Sequence, residues 1–418
     1  MSRLLIEGGV PLRGRVKISG SKNSTLPILA ATILLSTDSE IYNVPQVSDV
    51  VTMVRVLRAL GLRAEFVPHQ FLRVWGGRAI KSVAPYELVT KMRASFFVAG
   101  PMLARMHMAK VPLPGGCSIG SRPVDLHLKG FAALGADVHI EHGIVALQAK
   151  ELRGAAIYLD FPSVGATENI MMAACLAKGT TVIENAAREP EIFDLAQFLS
   201  SAGAQIEGAG TSKIVIKGVE ELQGLKYSII PDRIEAGTLI MAAAMTGGQV
   251  TFEKLNLEHL DALLRKLRDM GVGLQVHDAE TLTVTGSPQL KAVDIETMPY
   301  PGFPTDLQAP MMALMALCQG TSVVKETIFE NRFQHAPELR RMGADIRVDL
   351  STAIVKGVAS LSGAPVQATD LRAGAALLMA ALAAEGQTEL RGIHHIDRGY
   401  ENLQDKLQLL GAKLTRLV

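Results

Sequence analysis

The sequence has little cysteine, a single tryptophan and almost no net charge. Its three cysteines, Cys117, Cys175 and Cys318, are odd in number and far apart, which excludes a disulfide framework and a paired metal-ligand pattern. The 42 basic and 41 acidic residues nearly cancel, so the chain lacks the broad positive field that nucleic-acid or anionic-membrane binding requires. We therefore expect no nucleic-acid and no membrane partner.

Long apolar runs are also missing. The stretch AGAALLMAALAA at residues 373–384 is shorter than the roughly 18 apolar residues that a membrane span needs. The N-terminal segment MSRLLIEGG lacks the apolar core and small-residue cleavage site of a secretory signal. A cytoplasmic protein is the resulting expectation.

No cofactor or metal signature is present. His394 and His395 are adjacent, so their side chains diverge on regular structure, and no His or Cys pair has convincing ligand spacing. The segment GSKNST at residues 20–25 lacks the complete phosphate-loop pattern of P-loop nucleotide-binding proteins. We expect neither a metal nor a cofactor.

The sequence contains one unit that is repeated six times. An apolar residue or alanine, then glycine, then a strand-like run recurs as LGLRAEF, LGADVHI, AGAQIEG, MGVGLQV, MGADIRV and LGAKLTR. The glycines of the six copies are Gly61, Gly135, Gly203, Gly271, Gly343 and Gly411. Successive glycines are 74, 68, 68, 72 and 68 residues apart, which indicates a regular internal repeat.

The residues around each phrase predict its local structure. An amphipathic helix precedes it, glycine ends that helix, and a second short strand such as LRVWG or KIVIKG completes a β-hairpin. The sixth copy lacks its second strand, and RLLIEGG at residues 3–9 has the right form to supply it. We therefore predict two three-repeat domains, residues 21–230 and residues 1–20 plus 231–418.

Each repeat also holds a helix that is apolar nearly all round. Such a helix must be surrounded by protein, which predicts α/β domains turned inside out, with helices in the middle. The six segments are TLPILAATILL, ASFFVAGPMLA, ENIMMAACLA, GTLIMAAAM, LQAPMMALMALC and AGAALLMAALAA.

Charged residues gather at the predicted helix starts. Helix N-termini bind anions through unpaired N–H groups, and added Arg or Lys strengthens such a site. Caps and surface ion pairs could explain any one of these residues, but their repetition favours an enzyme or binder for a multiply anionic small molecule. Those at or near the starts of apolar helices are Lys22, Asn23, Arg93, Ser163, Asp232, Arg233, Asp306, Asp370 and Arg372, and those at or near the starts of amphipathic helices are Arg122, Arg188, Arg332 and Arg398.

The most specific local motif is PGGCSIGSRPVDLH at residues 114–127, a glycine-rich loop that runs into a helix. Its glycines permit a close approach of the backbone to a ligand. Cys117 stands five residues before Arg122, in surroundings electropositive enough to tune a thiol. Cys175 and Cys318 lie within apolar helices and are expected to be core residues.

Together the motifs resemble the UDP-N-acetylglucosamine 1-carboxyvinyltransferase family of the EPSP synthase superfamily. The resemblance runs essentially end to end. Besides the Cys117 loop it rests on SGSKN, MRAS, SVGAT, ENAAREPEI, PDRIEAGT, FPTD, ENRF, TDLRA and HIDRGYE.

The resemblance implies a fold of six βαβαββ units in two domains, with the active site in the interdomain cleft. It implies transfer of the enolpyruvyl group of phosphoenolpyruvate to the 3-hydroxyl of UDP-N-acetylglucosamine, the first committed step of peptidoglycan precursor synthesis. Cys117 matches the family's proton donor and its target for fosfomycin. Asp306 is the candidate base and Asp370 the reserve, and Lys22 and Arg398 complete the expected catalytic set.

The same resemblance implies the binding residues. Phosphoenolpyruvate would contact Lys22, Asn23, Arg122, Arg332, Arg372 and Arg398. UDP-N-acetylglucosamine would contact Asn23, Arg93, Arg122, Pro123, Val124, Asp125, Leu126, Ser163, Val164, Gly165, Asp306 and Ile328. Phe161 stands where some members carry lysine, so a diphosphate contact is not expected there.

Two alternatives remain open from the sequence. The first is 3-phosphoshikimate 1-carboxyvinyltransferase, a sister enzyme with the same fold but without the Cys117 loop. The second is a non-catalytic, clamp-like repeat protein, which the clustered arginines disfavour. The sequence does not reveal an oligomeric state.

Overall fold

The computed structural model describes residues 2–68, 70–77, 80–114, 123–287 and 289–417. The chain divides into two compact units. Among the described residues, the first holds 20–114 and 123–230, and we call it the inserted unit. The second holds residues 2–19 and 231–417, and we call it the split unit because it is made from two separate stretches of chain.

The helices of the described chain follow the repeat. They are α1 (Lys22–Ala31), α2 (Ser48–Leu60), α3 (Tyr86–Val89), α4 (Ala99–Met106), α5 (Asp125–Ala133), α6 (Val164–Ala174), α7 (Pro190–Ser201), α8 (Arg233–Met245), α9 (Asp261–Met270), α10 (Gln308–Met315), α11 (Ala336–Arg341), α12 (Leu371–Ala383) and α13 (Leu403–Leu409). Short 3-10 helices span Thr32–Leu34, Arg93–Val98, Leu257–Leu260, Thr305–Leu307 and Ile393–Arg398.

Short strands alternate with these helices. They are β1 (Arg3–Glu7), β2 (Arg13–Lys17), β3 (Ser39–Tyr42), β4 (Arg63–Val67), β5 (Phe71–Trp75), β6 (Met108–Pro112), β7 (Asp137–Glu141), β8 (Ile144–Gln148), β9 (Ala156–Tyr158), β10 (Thr180–Glu184), β11 (Gln205–Glu207), β12 (Lys213–Lys217), β13 (Lys226–Ser228), β14 (Gln249–Glu253), β15 (Gly273–Asp278), β16 (Thr281–Thr285), β17 (Ile295–Glu296), β18 (Thr321–Lys325), β19 (Asp345–Asp349), β20 (Thr352–Lys356), β21 (Pro365–Gln367), β22 (Gln387–Arg391) and β23 (Lys413–Leu417).

The strands form a separate small sheet for each repeat. In the inserted unit the strand orders are β13-β3-β5-β4, β6-β8-β7 and β11-β12-β10-β9. In the split unit they are β15-β16-β14-β2, β17-β18-β20-β19 and β21-β22-β1-β23.

The repeated phrase has the structure that its sequence predicts. All six repeat glycines have φ between 91° and 112°, the left-handed region that a helix C-terminus requires and that glycine adopts without strain. Antiparallel hairpins follow in the first five repeats, for example β4 with β5 and β19 with β20. In the sixth, β23 pairs antiparallel with β1, with Ile6 opposite Leu414. The prediction that the N-terminal strand completes the last repeat is therefore confirmed.

Two strands pair with partners that are far from them in the sequence. Strand β2 precedes the inserted unit in sequence but pairs in parallel with β14, in a sheet of the split unit. Strand β13 comes at the end of the inserted unit and pairs in parallel with β3, near its beginning. Both pairings follow from where the chain leaves and re-enters the split unit.

Apolar helices form the centre of each unit. Helix α8 is buried from Ile234 to Met245, and α10 is buried along its whole length. Helices α8, α10 and α12 pack against one another in the split unit, and α6 packs against α4 and α1 in the inserted unit. The predicted α/β fold with helices in the middle is confirmed. Within the described ranges, no helix has the length and apolar character needed to cross a membrane.

Candidate active site

Two buried arginines bind the carboxylate of one aspartate in the split unit. Arg332 Nη2 donates to Asp306 Oδ1 at 2.7 Å, and Arg372 Nη2 donates to Asp306 Oδ2 at 2.8 Å. Each arginine is 5% exposed, whereas 27% of the Asp306 side chain is accessible. The cluster is therefore an anion-binding centre whose cations are buried and whose carboxylate reaches solvent.

Two helix starts and one turn bring these three side chains together. Asp306 lies in the 3-10 turn that leads into α10, and Arg372 is the second residue of α12. Helices α10 and α12 pack side by side in the core, so residues at their N-terminal ends are held close. Arg332 approaches from the turn before α11.

Arg372 stays charged at this centre, and one donor of Arg332 is left for a further acceptor. Burial alone would lower the pKa of the Arg372 guanidinium, but the charges of Asp306, Tyr400 and Asp232 outweigh burial and raise that pKa above its ordinary value. The buried Nε of Arg332 has no hydrogen-bond partner among the described residues. Because a buried donor left unpaired is unfavourable, this atom is suited to an incoming acceptor.

Asp370 has a structural duty. It is the N-cap of α12, and its Oδ1 accepts from the backbone N–H groups of Arg372 at 2.8 Å and Ala373 at 3.1 Å. A carboxylate used in this way satisfies donors that the helix leaves unpaired. Asp370 thereby fixes the start of the helix that carries Arg372.

Arg332 and Arg398 lie near amphipathic helices but precede the first residue of each helix. Helix α11 begins at Ala336 and α13 at Leu403. Arg398 is instead the last residue of the 3-10 helix Ile393–Arg398, and the chain turns through Gly399 before α13. Asn402, with φ 47°, belongs to that turn, and such a turn cannot continue a helix.

In the inserted unit, Lys22 is the first residue of α1, and Ser21 caps that helix by accepting from Ser24 N–H. Lys22 Nζ lies 3.5 Å from Asp49 Oδ2, and both side chains are nearly buried. Asn23 follows on the same helix and is half-buried. Asp49 thus orients a lysine that the sequence analysis selected without its partner.

Arg93 and the segment after the Cys117 loop are brought together. Arg93 Nη2 donates to the Pro123 carbonyl at 3.1 Å. Pro123 and Val124 lead into α5, whose first residues are Asp125 and Leu126. Cys117 and Arg122 lie outside the described residues.

The start of α6 presents Ser163, Val164 and Gly165. Ser163 caps the helix by accepting from Ala166 N–H at 3.3 Å. A Cβ placed on Gly165 would lie 3.2 Å from His127 Cε1, so the glycine permits this close approach of helix and ring.

The state of His127 is determined by Asn169. Asn169 Oδ1 accepts from Gly100 N–H, so its Nδ2 donates to the Phe96 carbonyl and to His127 Nδ1, each at 3.0 Å. Burial, with a smaller contribution from the charge of Arg93, lowers the pKa of His127 to about 3. The neutral ring therefore carries its proton on Nε2, the atom beside Gly165.

The sequence analysis did not select His127, Asp49 or Glu326 as site residues. His127 ends the quoted PVDLH motif, which is a signal that could have found it. Asp49 and Glu326 lie outside every quoted motif, and only their contacts reveal them. Within the described ranges, no group of three or more His, Cys, Asp or Glu side chains could hold a metal ion.

Comparison with known proteins decides the family. The chain matches the family model for EPSP synthase (3-phosphoshikimate 1-carboxyvinyltransferase) over residues 6–407. It is 55% identical over 413 residues to a UDP-N-acetylglucosamine 1-carboxyvinyltransferase of Gloeobacter violaceus, covering 99% of this chain and 90% of the relative. The chain belongs to the UDP-N-acetylglucosamine 1-carboxyvinyltransferase family. A second member, from Caldanaerobacter subterraneus, is 55% identical over 416 residues, which cover 99% of both chains.

Solved structures agree with this family membership. The enolpyruvyl transferase NikO from Streptomyces tendae is 28% identical, covers 99% of this chain and 98% of its own, and has a TM-score of 0.91. An EPSP synthase from Acinetobacter baumannii is 18% identical with a TM-score of 0.80, covering 100% of both chains. The second likeness shows the fold alone, and it matches the α/β architecture of the UDP-N-acetylglucosamine 1-carboxyvinyltransferase family.

Proposed function

We propose that this chain transfers the enolpyruvyl group of phosphoenolpyruvate to the 3-hydroxyl of UDP-N-acetylglucosamine and releases phosphate. The observation that carries the proposal is the pair of buried arginines around Asp306, found in a chain 55% identical to proteins that bear this enzyme's name. The reaction begins peptidoglycan precursor synthesis, so the proposed location is the cytoplasm.

The anion-binding residues divide by the two charged groups of phosphoenolpyruvate. Arg332 and Arg372 hold its carboxylate, which exchanges with the carboxylate of Asp306. A planar guanidinium is suited to this task because it donates two parallel hydrogen bonds to a carboxylate. Lys22, Arg122 and Arg398, with Asn23, hold the phosphate.

The acceptor is held by residues at three helix starts and one strand end. Arg93 and residues 122–126 contact the nucleotide, and Ser163, Val164 and Gly165 offer the N-terminus of α6 to its diphosphate. Asp306 and Ile328 contact the sugar. Phe161, which is 43% exposed, supplies no cationic group.

The chemistry requires a base and an acid. Asp306 accepts the proton of the sugar 3-hydroxyl while the hydroxyl oxygen forms a bond to C2 of phosphoenolpyruvate. Cys117 donates a proton to C3. In the resulting tetrahedral ketal the C2–O bond to phosphate then breaks as a C3 proton passes to the Cys117 thiolate, which restores the double bond and the thiol. The proton held by Asp306 leaves with phosphate. Arg and Lys side chains around both anionic groups stabilise charge as it moves.

A phosphate-release assay tests the proposal. With phosphoenolpyruvate as donor, we expect release with UDP-N-acetylglucosamine and none above background with shikimate 3-phosphate. Release only with shikimate 3-phosphate would instead assign the sister reaction. Release with neither acceptor would refute enolpyruvyl transfer.

A further inference from the structure

The buried carboxylate of Glu326 ties two parts of the proposed acceptor site together. Glu326 follows β18 and is 3% exposed. Its carboxylate accepts four hydrogen bonds, two from threonine hydroxyls and two from backbone N–H groups. A buried charge that is fully hydrogen-bonded in this way holds its donors in one arrangement.

One oxygen of Glu326 organises the segment after the strand. Oε1 accepts from Ile328 N–H at 2.8 Å and from Phe329 N–H at 3.2 Å. It also accepts from Thr297 Oγ1 at 2.8 Å. The Phe329 ring in turn lies 5.5 Å from the guanidinium carbon of Arg332.

The other oxygen reaches the anion-binding centre. Thr305 Oγ1 donates to Glu326 Oε2 at 3.0 Å, and Thr305 is the first residue of the 3-10 turn that contains Asp306. One carboxylate thus sets both the turn that carries Asp306 and the segment that carries Ile328.

We infer that Glu326 is a positioning residue for the transfer reaction, acting through Thr305 on Asp306 and through the backbone on Ile328. The inference rests on the proposed function, because it gives Asp306 and Ile328 their roles there. Glu326 itself contacts no substrate. Its effect is to hold the Asp306 carboxylate where it can accept the acceptor hydroxyl's proton, and small displacements of a catalytic group are costly in rate.

Variants of this network distinguish the effect of Glu326 on Asp306 from its effect on Ile328. Thr305→Val keeps the shape of the side chain and removes only the donor to Oε2, so it should lower kcat by about tenfold with little change in KM for phosphoenolpyruvate. Thr305→Ser keeps the hydroxyl and should rescue the activity. Glu326→Gln alters both arms, so it should lower kcat and also raise KM for UDP-N-acetylglucosamine.

A matched control lies on the neighbouring strand. Glu296 pairs with Lys325 on the surface, in the same sheet, and Glu296→Gln should leave both kinetic constants unchanged. All variants are assayed well below their unfolding temperatures, with circular dichroism confirming the fold. A purely structural role for Glu326 would lower the unfolding temperature but leave kcat of the folded enzyme intact.

A crystal structure of Thr305→Val gives a readout that does not need activity. We expect at least one of the two Asp306 ion pairs to lengthen beyond hydrogen-bonding distance. Wild-type kcat in Thr305→Val, or an equal loss in Thr305→Ser, would overturn the positioning role while leaving the proposed function standing. If the wild-type chain releases no phosphate with UDP-N-acetylglucosamine, the proposed function fails first and this inference fails with it.

Discussion

Arg372 donates to Asp306 at 2.8 Å from the second residue of a helix that is buried from Arg372 to Leu382. A cation at that position is locally unfavourable, because a helix N-terminus already carries partial positive charge. The Asp306 carboxylate offsets this charge. Under the proposed function, the carboxylate of phosphoenolpyruvate takes the place of Asp306 beside Arg372.

Replacing Asp306 by asparagine separates its pairing with the two arginines from its proposed role as the base. Asp306→Asn keeps the shape of the side chain but no longer competes with a substrate carboxylate for Arg332 and Arg372. We expect phosphoenolpyruvate alone to bind more tightly, measured by isothermal titration calorimetry, while turnover falls by about 100-fold or more because the base is lost. Asp397→Asn, which alters an exposed ion pair with Arg416, is the control. Weaker phosphoenolpyruvate binding in Asp306→Asn would show that the two carboxylates do not exchange.

The cysteines differ in reactivity. Burial raises the pKa of both Cys175 and Cys318 to about 12, so neither thiol is ionised near neutral pH, and the thiolate is the reactive form. We expect fosfomycin to label Cys117 alone, as located by peptide mass spectrometry. Cys117→Ser should abolish the adduct and lower turnover by about 100-fold or more, whereas Cys175→Ala should retain both. An adduct on Cys175 or Cys318 would contradict this assignment.

His127 makes stability depend on pH. Its folded-state pKa is about 3, compared with about 6.5 in an unfolded chain. Between these values the unfolded state binds a proton that the folded state does not, so stability present above pH 6.5 is lost as the pH falls. The loss is about 1.4 kcal/mol per pH unit in that window.

Thermal unfolding between pH 7 and pH 5 tests this dependence. The unfolding temperature of the wild type should fall relative to that of His127→Gln as the pH drops, because glutamine does not titrate and every other titrating group is shared. His139→Gln, at an exposed strand position, should keep the wild-type slope. Equal slopes in wild type and His127→Gln would exclude His127 as the cause.

The pairing of the first strand with the last also predicts a stability effect. Ile6 in β1 is completely buried, and Ile6→Ala should cost about 2–5 kcal/mol through lost burial and the cavity left behind. Hydrogen exchange should show reduced protection in β22 and β23, the two neighbours of β1. Glu7→Ala removes only an exposed ion pair with Lys413 and should change stability by less than about 1 kcal/mol. Unchanged protection in Ile6→Ala would mean that β1 does not stabilise this sheet.

The architecture could be predicted because its signals are local and repeated. A glycine at each helix end, an apolar helix and a hairpin in each repeat specify the α/β units from sequence alone. The partners of β2 and β13 could not be predicted in this way. Strand β13 has only three residues, and a parallel pairing has no turn to mark its partner.

The candidate site divides along the same line. Asp306 and Arg372 lie in motifs whose position at helix starts is visible in the sequence. Glu326 and Asp49 form side-chain contacts with residues 21 to 29 positions away in the sequence. No local sequence pattern predicts such contacts. The turns that separate Arg332 and Arg398 from the amphipathic helices that follow have no comparable local signal.

Strand β1 lies between β22 and β23, and this placement bears on the order of folding during synthesis. The inserted unit occupies one stretch of chain and can close while the ribosome is still making the rest. The split unit cannot, because one of its earliest strands waits for two of its latest. Until those emerge, Arg3–Glu7 has two open edges, so this short segment is where a nascent chain would be most exposed to mispairing or to capture by a chaperone.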